Sequence, residues 1–239
     1  MRLLVVFTLA CIASAANAEA RADLFHRSAT IAELLPEQAD SFAAVIPVNR
    51  KLTWTLRIPS VASPHGVIVF VSPQEAADAP ETWAESLEKH NLIWVAAEHF
   101  GNATPTAQRV LAAVMGLALV QRDYAVDRKR IYIAGMSGGG RVASKAIATS
   151  PQLFTGAIYF CGADPLPAGA AAAATSKRFV FVTGTRDFNR REMKHVAGRY
   201  SKLGIPNVLV LDIPGMGHEL PDARQFEEAV RYLDGTEQR

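Results

Sequence analysis

Residues 130–141 have the sequence RIYIAGMSGGGR, and this segment decides the fold. Its first part, 130–134, is rich in β-branched and aromatic residues and is typical of a buried strand. Its last part leads into a run of small and apolar residues, 139–149, that has the length and spacing of a helix. A strand that passes through glycines directly into a helix indicates one unit of a layered α/β domain.

The turn between that strand and helix contains Gly135-Met136-Ser137-Gly138-Gly139, which matches the pattern G-x-S-x-G. A bare match occurs by chance in roughly one chain in ten of this length, so the inference depends on the flanking strand and helix. A sharp turn puts the serine at unfavourable backbone angles, and flanking glycines let strand and helix pass closely. The spacing therefore predicts that Ser137 is a nucleophile lifted above the sheet, with helix N–H groups beside it.

On both sides of this segment, short apolar runs alternate with amphipathic runs. We predict strands at 51–58, 66–71, 92–97, 130–134, 155–161, 178–183 and 207–213, and helices at 81–90, 106–122, 139–149, 191–203 and 222–233. This alternation predicts an α/β fold with a mostly parallel central sheet and helices on both faces. Because strand 51–58 alternates in polarity, we expect it to be an antiparallel edge strand.

A serine nucleophile needs a general base, and His218 is the candidate. It follows the last predicted strand, in Pro214-Gly215-Met216-Gly217-His218. Loops at the carboxyl ends of parallel strands share one edge of the sheet, so this loop can reach Ser137. His99 also follows a strand and is the second candidate. The remaining histidines, His26, His65, His90 and His195, lie in the N-terminal extension, before a strand or on helices.

The imidazole needs a carboxylate to orient it, and Asp187 is the candidate acid. It follows the strand 178–183, in Thr183-Gly184-Thr185-Arg186-Asp187. Asp164, after the preceding strand, remains the alternative acid, whereas Asp212 lies inside the last strand and is expected to be structural. For the oxyanion hole we predict the N–H of Gly138 and one from the loop after strand 66–71. Pro73 in that loop has no N–H, so Ser72 or Gln74 is the predicted second donor.

With these residues the chain resembles the α/β-hydrolases, in particular the group of esterases and polyhydroxyalkanoate depolymerases. The resemblance rests on Gly135-Met136-Ser137-Gly138-Gly139, on Asp187 after its strand and on Gly217-His218, and it covers roughly 50–239. Segments 127–137 and 92–98 also resemble that group. The loop after strand 66–71 departs from the family pattern because it lacks a His-Gly pair. The resemblance implies ester hydrolysis through an acyl-enzyme intermediate, with no cofactor.

The N-terminus has the pattern of a secretion signal. Arg2 is followed by an apolar run, 3–13, and small residues stand at Ala16 and Ala18, which predicts cleavage before Glu19. The apolar run is too short for a stable membrane span. We therefore expect an exported protein, periplasmic or secreted, with residues 1–18 as signal peptide, 19–50 as a packed N-terminal extension and 51–239 as the hydrolase domain. A lipoprotein attached at Cys11 is disfavoured because Thr8 stands where a large aliphatic residue is expected.

Composition excludes several other classes of protein. With 49% hydrophobic and 20% charged residues, the 239-residue chain has enough apolar material for one large core. Net charge is +2 and the basic residues are scattered, so no nucleic-acid partner is predicted. The densest basic run, 128–130, is expected to be a solvated loop. No nucleotide-binding glycine pattern occurs, and neither a cofactor nor a metal is predicted. Cys161 lies in an apolar run and is interpreted as a buried structural thiol.

The connection 162–177, where many relatives carry a lid, is only about sixteen residues long. We therefore expect no large cap domain and an open site that accepts small or polymeric esters. Two competing functions remain open. One is a serine peptidase on the same fold, which would need a gating domain or an acidic pocket for a free amine. The other is a non-catalytic binding protein that has kept the fold.

Overall fold

The structure, a computed structural model, describes residues 24–236. It contains one eight-stranded sheet. The strands are β1 (Leu24–Ala29), β2 (Leu52–Arg57), β3 (His65–Val71), β4 (Leu92–Ala97), β5 (Val126–Met136), β6 (Gly156–Phe160), β7 (Arg178–Gly184) and β8 (Val208–Ile213). Their order across the sheet is β1-β2-β4-β3-β5-β6-β7-β8. From β4 to β8 neighbouring strands are parallel, whereas β2 is antiparallel to both β1 and β4.

Helices cover both faces of the sheet. They are α1 (Ile31–Leu34), α2 (Ala84–Lys89), α3 (Thr106–Asp123), α4 (Gly138–Thr149), α5 (Arg190–Lys202) and α6 (Ala223–Asp234). Apolar side chains of α1, α3, α4 and α5 form one buried cluster with one face of the strands. Those of α2 and α6 form a second cluster with the other face. The predicted mostly parallel sheet, covered on both faces, is confirmed.

The central strands β3 and β6 are almost entirely apolar because both of their faces are buried. All seven residues of β3 and all five of β6 are buried. A strand with helices packed on both sides cannot alternate between polar and apolar residues, so continuous apolar runs mark the middle of the sheet. This explains why the sequence located these strands to within a few residues.

The predicted position of strand 51–58 at the edge of the sheet is wrong. It is antiparallel, as expected, but β1 pairs with it along its whole length, from Leu24 opposite Arg57 to Ala29 opposite Leu52. The polarity of β1 gives no strand signal, because five of its six residues are exposed or only partly buried. An edge strand that faces solvent needs few apolar side chains, and its contribution is to cover the backbone groups of β2.

Residues 30–50 pack against the body of the domain. Thr30 and Glu33 form a capping box that starts the short helix α1. Ile31 and Ile46 are fully buried in the cluster that contains α3. The predicted packing of this extension is therefore observed over its described part, from residue 24 onward.

Two smaller expectations concern connections. The basic run 128–130 is not a loop, because β5 begins at Val126, and Arg130 pairs with Asp234 at 2.8 Å. The connection from β6 to β7 holds only two short 3-10 turns, Ala168–Ala170 and Ala172–Ala174, so no large cap is present there.

The predicted signal peptide, its cleavage point and Cys11 lie outside the described residues. Over the part that the structure describes, no helix has both the length and the apolar character that crossing a membrane requires.

Candidate active site

Three loops meet above the carboxyl ends of the parallel strands. Ser137 directly follows β5, Asp187 follows β7, and His218 follows β8. Strands β5, β6, β7 and β8 are consecutive neighbours in the sheet. Since all four are parallel, their carboxyl ends share one edge, and the three side chains are brought together although up to 81 positions separate them in the chain.

Ser137 occupies the sharp turn that its flanking glycines predicted. Its backbone angles are φ 54° and ψ −119°, a conformation that costs a non-glycine residue about 1–3 kcal/mol. The turn is fixed on both sides: the Ser137 N–H donates to the Phe160 carbonyl at 2.7 Å, and the Ser137 carbonyl accepts from Gly140 N–H at 3.0 Å. The strain therefore persists because neighbouring backbone holds it.

Gly135 and Gly139 are required by the close passage of strand and helix. A Cβ on Gly135 would lie 2.3 Å from the Gly139 carbonyl oxygen. A Cβ on Gly139 would lie 1.9 Å from the carbonyl oxygen of Val71, the last residue of β3. Both distances are far below van der Waals contact, so the glycines of the motif serve the packing that the sequence analysis assigned to them.

The three predicted side chains form a continuous hydrogen-bonded row. Ser137 Oγ lies 2.9 Å from His218 Nε2, and His218 Nδ1 lies 2.8 Å from Asp187 Oδ1. A carboxylate can only accept, so Nδ1 carries the proton and Nε2 is free to accept from the serine hydroxyl. The Asp187 side chain is fully buried, whereas 21% of the His218 side chain is exposed. The row thus runs from a buried carboxylate outward to solvent.

Asp187 is held as a carboxylate. Burial raises its pKa, but hydrogen bonds from His218, Thr183 and the Asn189 N–H outweigh it, and the net effect is a pKa below the ordinary value. Thr183 Oγ1 donates to Oδ2 at 2.7 Å, and the Asn189 N–H donates to Oδ1 at 3.0 Å. The carboxylate therefore stays ionised and can stabilise a positive charge on the imidazole.

The loop that holds His218 is tied to the loop that holds Asp187. Gly215 N–H donates to Thr185 Oγ1 at 2.8 Å, and the Arg186 guanidinium donates to the Gly215 carbonyl at 2.9 Å. A capping box of Asp222 and Gln225 then starts α6 just after the loop. These contacts fix the position of the imidazole relative to its carboxylate.

Cys161 lies beneath the row and is fully buried, as predicted. Its thiol lies 3.4 Å from the Glu219 carbonyl oxygen, and burial raises its pKa well above the ordinary value. Ligand atoms of Cys161, Asp187 and His218 lie within 4.8 Å of one another, which is close enough to share a metal ion. Because the thiol donates to the Glu219 carbonyl and the other two groups bond to each other, the donor atoms are already engaged and the set fits a metal poorly.

The predicted oxyanion donors differ in their hydrogen bonding. Gly138 is the first residue of α4, so its N–H has no partner within the helix. The Gln74 N–H donates to Ser72 Oγ at 3.0 Å and is engaged there. Among residues 24–236, no acceptor is found for the Ser72 N–H. Of the two predicted loop donors, Ser72 is the one with a free N–H.

A buried arginine holds this loop in place, and the sequence analysis missed it. Arg109 on α3 is 5% exposed and donates to the carbonyls of Ser72 at 2.8 Å and Phe100 at 3.0 Å, and to Asn102 Oδ1 at 3.1 Å. Burial lowers its pKa, although nearby Glu75 opposes the shift. A single arginine on an otherwise apolar helix face was the available signal. Asn102 in turn lies close to Gly138, since a Cβ there would be 2.2 Å from Asn102 Oδ1.

The other candidate residues are used elsewhere. Asp164 pairs with Arg141 at 3.0 Å, and Asp212 pairs with Arg190 at 2.7 Å. His99 is exposed and lies 4.0 Å from Glu98. The remaining histidines have other partners or are exposed. His26 bonds to Glu98, His65 to Asn91 and His90 to Asp234, and His195 is exposed on α5.

Comparison with known proteins shows similarity in structure but not in sequence. No family model matches the chain, and no curated protein matches it. Among solved structures, the apoenzyme of S-formylglutathione hydrolase (FrmB) from Staphylococcus aureus is similar with a TM-score of 0.64 and 12% identity, over 88% of this chain and 99% of that one. Est1E from Butyrivibrio proteoclasticus is similar with a TM-score of 0.59 and 14% identity, over 76% and 92%.

This protein has the α/β-hydrolase fold. A ferulic acid esterase is also similar to it, with a TM-score of 0.58 and 15% identity over 90% of this chain and 97% of that one. The fold predicted from the turn at Ser137 is therefore confirmed. Ser137, Asp187 and His218 lie at the carboxyl edge of the parallel strands, the edge at which open α/β sheets bind ligands.

Proposed function

We propose that this protein is an exported serine hydrolase that cleaves carboxylic esters through an acyl-enzyme intermediate on Ser137. The observation that carries the proposal is the row from Ser137 Oγ to His218 Nε2 and from His218 Nδ1 to Asp187, at 2.9 and 2.8 Å. The similarity of the fold to S-formylglutathione hydrolase and to a ferulic acid esterase supports it. In this proposal Ser137 is the nucleophile, His218 the general base and acid, and Asp187 the orienting carboxylate.

Acylation begins when Ser137 Oγ attacks the ester carbonyl carbon. The new C–O bond forms as the hydroxyl proton passes to His218 Nε2, and the carbonyl oxygen becomes an oxyanion. The N–H groups of Gly138 and Ser72 stabilise that charge. The intermediate then breaks its bond to the alcohol oxygen, which takes the proton from His218 Nε2 and leaves as the alcohol.

Deacylation repeats these steps with water. His218 Nε2 takes a proton from water, and the water oxygen attacks the acyl carbon. When the tetrahedral intermediate collapses, the acyl group leaves as the carboxylic acid and Ser137 Oγ regains its proton from His218. The net reaction converts an ester and one water into an acid and an alcohol. Apart from the ester and the water, each step uses only groups of this chain.

Labelling with a fluorophosphonate probe tests the nucleophile. We expect stoichiometric labelling of the mature protein on Ser137, with turnover of p-nitrophenyl acetate and butyrate. Ser137→Ala should abolish the labelling and lower kcat by on the order of 10⁴ or more, because no hydroxyl remains to form the acyl-enzyme. Ser201→Ala, which removes an exposed hydroxyl at the far end of α5, is the matched control.

Three outcomes separate the competing functions. Near wild-type turnover by Ser137→Ala would reject the serine hydrolase. Labelling with hydrolysis of peptide amides, but not of esters, would favour a serine peptidase on the same fold. A protein that neither reacts with the probe nor hydrolyses any ester or peptide amide would be a non-catalytic binding protein that has kept the fold.

A further inference from the structure

Phe188 is the most exposed large apolar side chain among residues 24–236, and it lies at the proposed active site. Its exposure is 76%, whereas the other exposed large apolar residues, Leu24, Val61 and Val210, are 36–46% exposed. Its ring stacks on the imidazole of His218, with the ring centroids 4.0 Å apart and the planes 22° from parallel. One face of Phe188 thus covers the proposed base and the rest remains open to solvent.

The exposure of Phe188 is imposed by a rigid turn. Before it, the Asp187 N–H donates to the Gly184 carbonyl at 3.0 Å, and the Asp187 side chain is fully buried. After it, the Asn189 N–H donates to Asp187 Oδ1, and Asn189 Nδ2 donates to the Cys161 carbonyl at 2.8 Å. With both neighbours fixed, the side chain between them is held out at the mouth of the site.

The chemistry of the proposed reaction identifies the part of the substrate that lies here. His218 Nε2 must reach the oxygen of the leaving alcohol in order to protonate it. The alcohol group therefore lies on the side of His218, and a ring stacked on that imidazole borders it. The carbonyl oxygen and the acyl group face the other side, toward Gly138 and Ser72.

We infer that Phe188 forms a wall of the leaving-alcohol subsite and that the enzyme prefers esters of apolar, above all aromatic, alcohols. This inference rests on the proposed ester hydrolysis and adds the substrate class. The exposed ring loses water when an apolar alcohol group covers it, and an aromatic group adds a ring contact. A small or polar alcohol gains neither contribution.

The test compares two series of esters by kcat/KM. One series keeps the acetyl group and varies the alcohol: benzyl, cyclohexylmethyl, ethyl and 2-methoxyethyl acetate, whose alcohols are of similar acidity. The other keeps ethanol and varies the acyl group: ethyl acetate, butyrate and benzoate. The protein should prefer benzyl over ethyl acetate, and Phe188→Ala should lower that ratio about tenfold, the factor that a contact of about 1.4 kcal/mol supplies. The ratios within the acyl series should change less than about twofold.

Two further variants sharpen the test. Phe188→Leu should keep the preference for cyclohexylmethyl over ethyl acetate but lose that for benzyl over cyclohexylmethyl. Val61→Ala removes an exposed apolar side chain at the amino edge of the sheet, before β3, and should leave all ratios unchanged. Fluorophosphonate labelling and thermal unfolding of each variant confirm that it is folded.

The possible failures can be told apart. If Phe188→Ala lowers kcat/KM equally for all esters, or changes only the acyl series, Phe188 supports His218 or the acyl side and the inference is rejected. If the wild-type protein hydrolyses the esters without distinguishing the alcohols, the inference fails and the proposed function stands. If no ester is hydrolysed and Ser137 is not labelled, the proposed function itself fails.

Discussion

At Ser137 the backbone geometry of one residue is enforced by its neighbours in the fold. The positive φ is held by the hydrogen bond that the Ser137 N–H donates to the end of β6 and by one within the first turn of α4, while Gly135 and Gly139 leave the space. Because neighbouring groups already fix this strained turn, the proposed nucleophile would need little rearrangement to meet a substrate. The serine hydroxyl is thereby presented to the imidazole of His218 in the resting protein.

The choice of acid can be tested at two aspartates. We expect Asp187→Asn to lower kcat by about 10³–10⁴. The amide N–H groups would face the groups that now donate to the carboxylate, and the neutral amide would not stabilise the imidazolium. Asp164→Asn is the control, and it should change kcat by less than about threefold since Asp164 pairs with Arg141 instead. Steady-state kinetics on p-nitrophenyl butyrate measures both effects. A larger loss in Asp164→Asn than in Asp187→Asn would reverse the assignment.

Among the elements, α3 holds two loops together through one buried arginine, although the helix is otherwise mostly apolar. The helix carries Arg109, whose guanidinium joins the loop after β3 to the loop after β4 through three acceptors. Buried carbonyl groups without donors are costly, so the arginine is the partner that lets these loops pack. In the proposed mechanism it positions the Ser72 N–H, by holding the Ser72 carbonyl, without touching the reacting atoms.

Replacing this arginine should therefore damage catalysis more than binding. We expect Arg109→Gln to lower kcat about tenfold with a KM changed by less than about threefold, because the oxyanion donor loses its support. Arg109→Lys should recover part of the loss, since an ammonium can still donate to one or two of the carbonyls. Kinetics with esters of one acyl group, together with thermal unfolding, measures this. A rise in KM at constant kcat would contradict the positioning role.

A second set of contacts joins α2, β5 and α6 on the opposite face. Asp234 at the end of α6 accepts from Arg130 at 2.8 Å, from Tyr132 at 2.8 Å and from His90 at 2.7 Å. Burial lowers the pKa of His90, but its hydrogen bonds to Asp234 and Glu227 outweigh that effect and raise the pKa above the ordinary value. Lys89 also pairs with Glu227 in this cluster.

This cluster gives a pH dependence of stability. A histidine whose pKa is raised on folding stabilises the native state fully below its unfolded pKa, about 6.5, and loses that contribution as pH rises through the folded value. We therefore expect the difference in free energy of unfolding between the wild type and His90→Gln to be larger at pH 6 than at pH 9. Urea unfolding at the two pH values measures it, with exposed His195→Gln as the control. Equal differences at both values would exclude this role for His90.

At the scale of the whole molecule, export is a separate prediction. Cleavage between Ala18 and Glu19 would leave a chain that begins five residues before β1. We expect the exported protein to begin at Glu19 by N-terminal sequencing, and Ala18→Leu to prevent cleavage there, because signal peptidases require small residues at that position. A mature protein that begins at a lipid-modified Cys11, or one that keeps residues 1–18 in the cytoplasm, would contradict the prediction.

The fold was predictable because its signals are local. Glycines at fixed spacing around Ser137 dictate the turn, and apolar runs such as β3 and β6 mark strands buried on both faces. The chain order of Ser137, Asp187 and His218, each after a strand, is also visible in the sequence. A residue's distance from the end of its strand is enough to assign it to the functional edge of a parallel sheet.

Contacts between distant segments were decided only by the tertiary structure. Nothing in the polarity of β1 indicates that it covers the edge of β2, because an edge strand is specified by the partner that it pairs with. The position of Arg109 on α3 does not show which carbonyl groups its guanidinium will contact. Nor does the sequence show that the ring of Phe188 stacks on the imidazole of His218. The backbone preference of a short segment determines whether it forms a helix or a strand. Which group a side chain contacts depends on where the fold of the whole chain places that group.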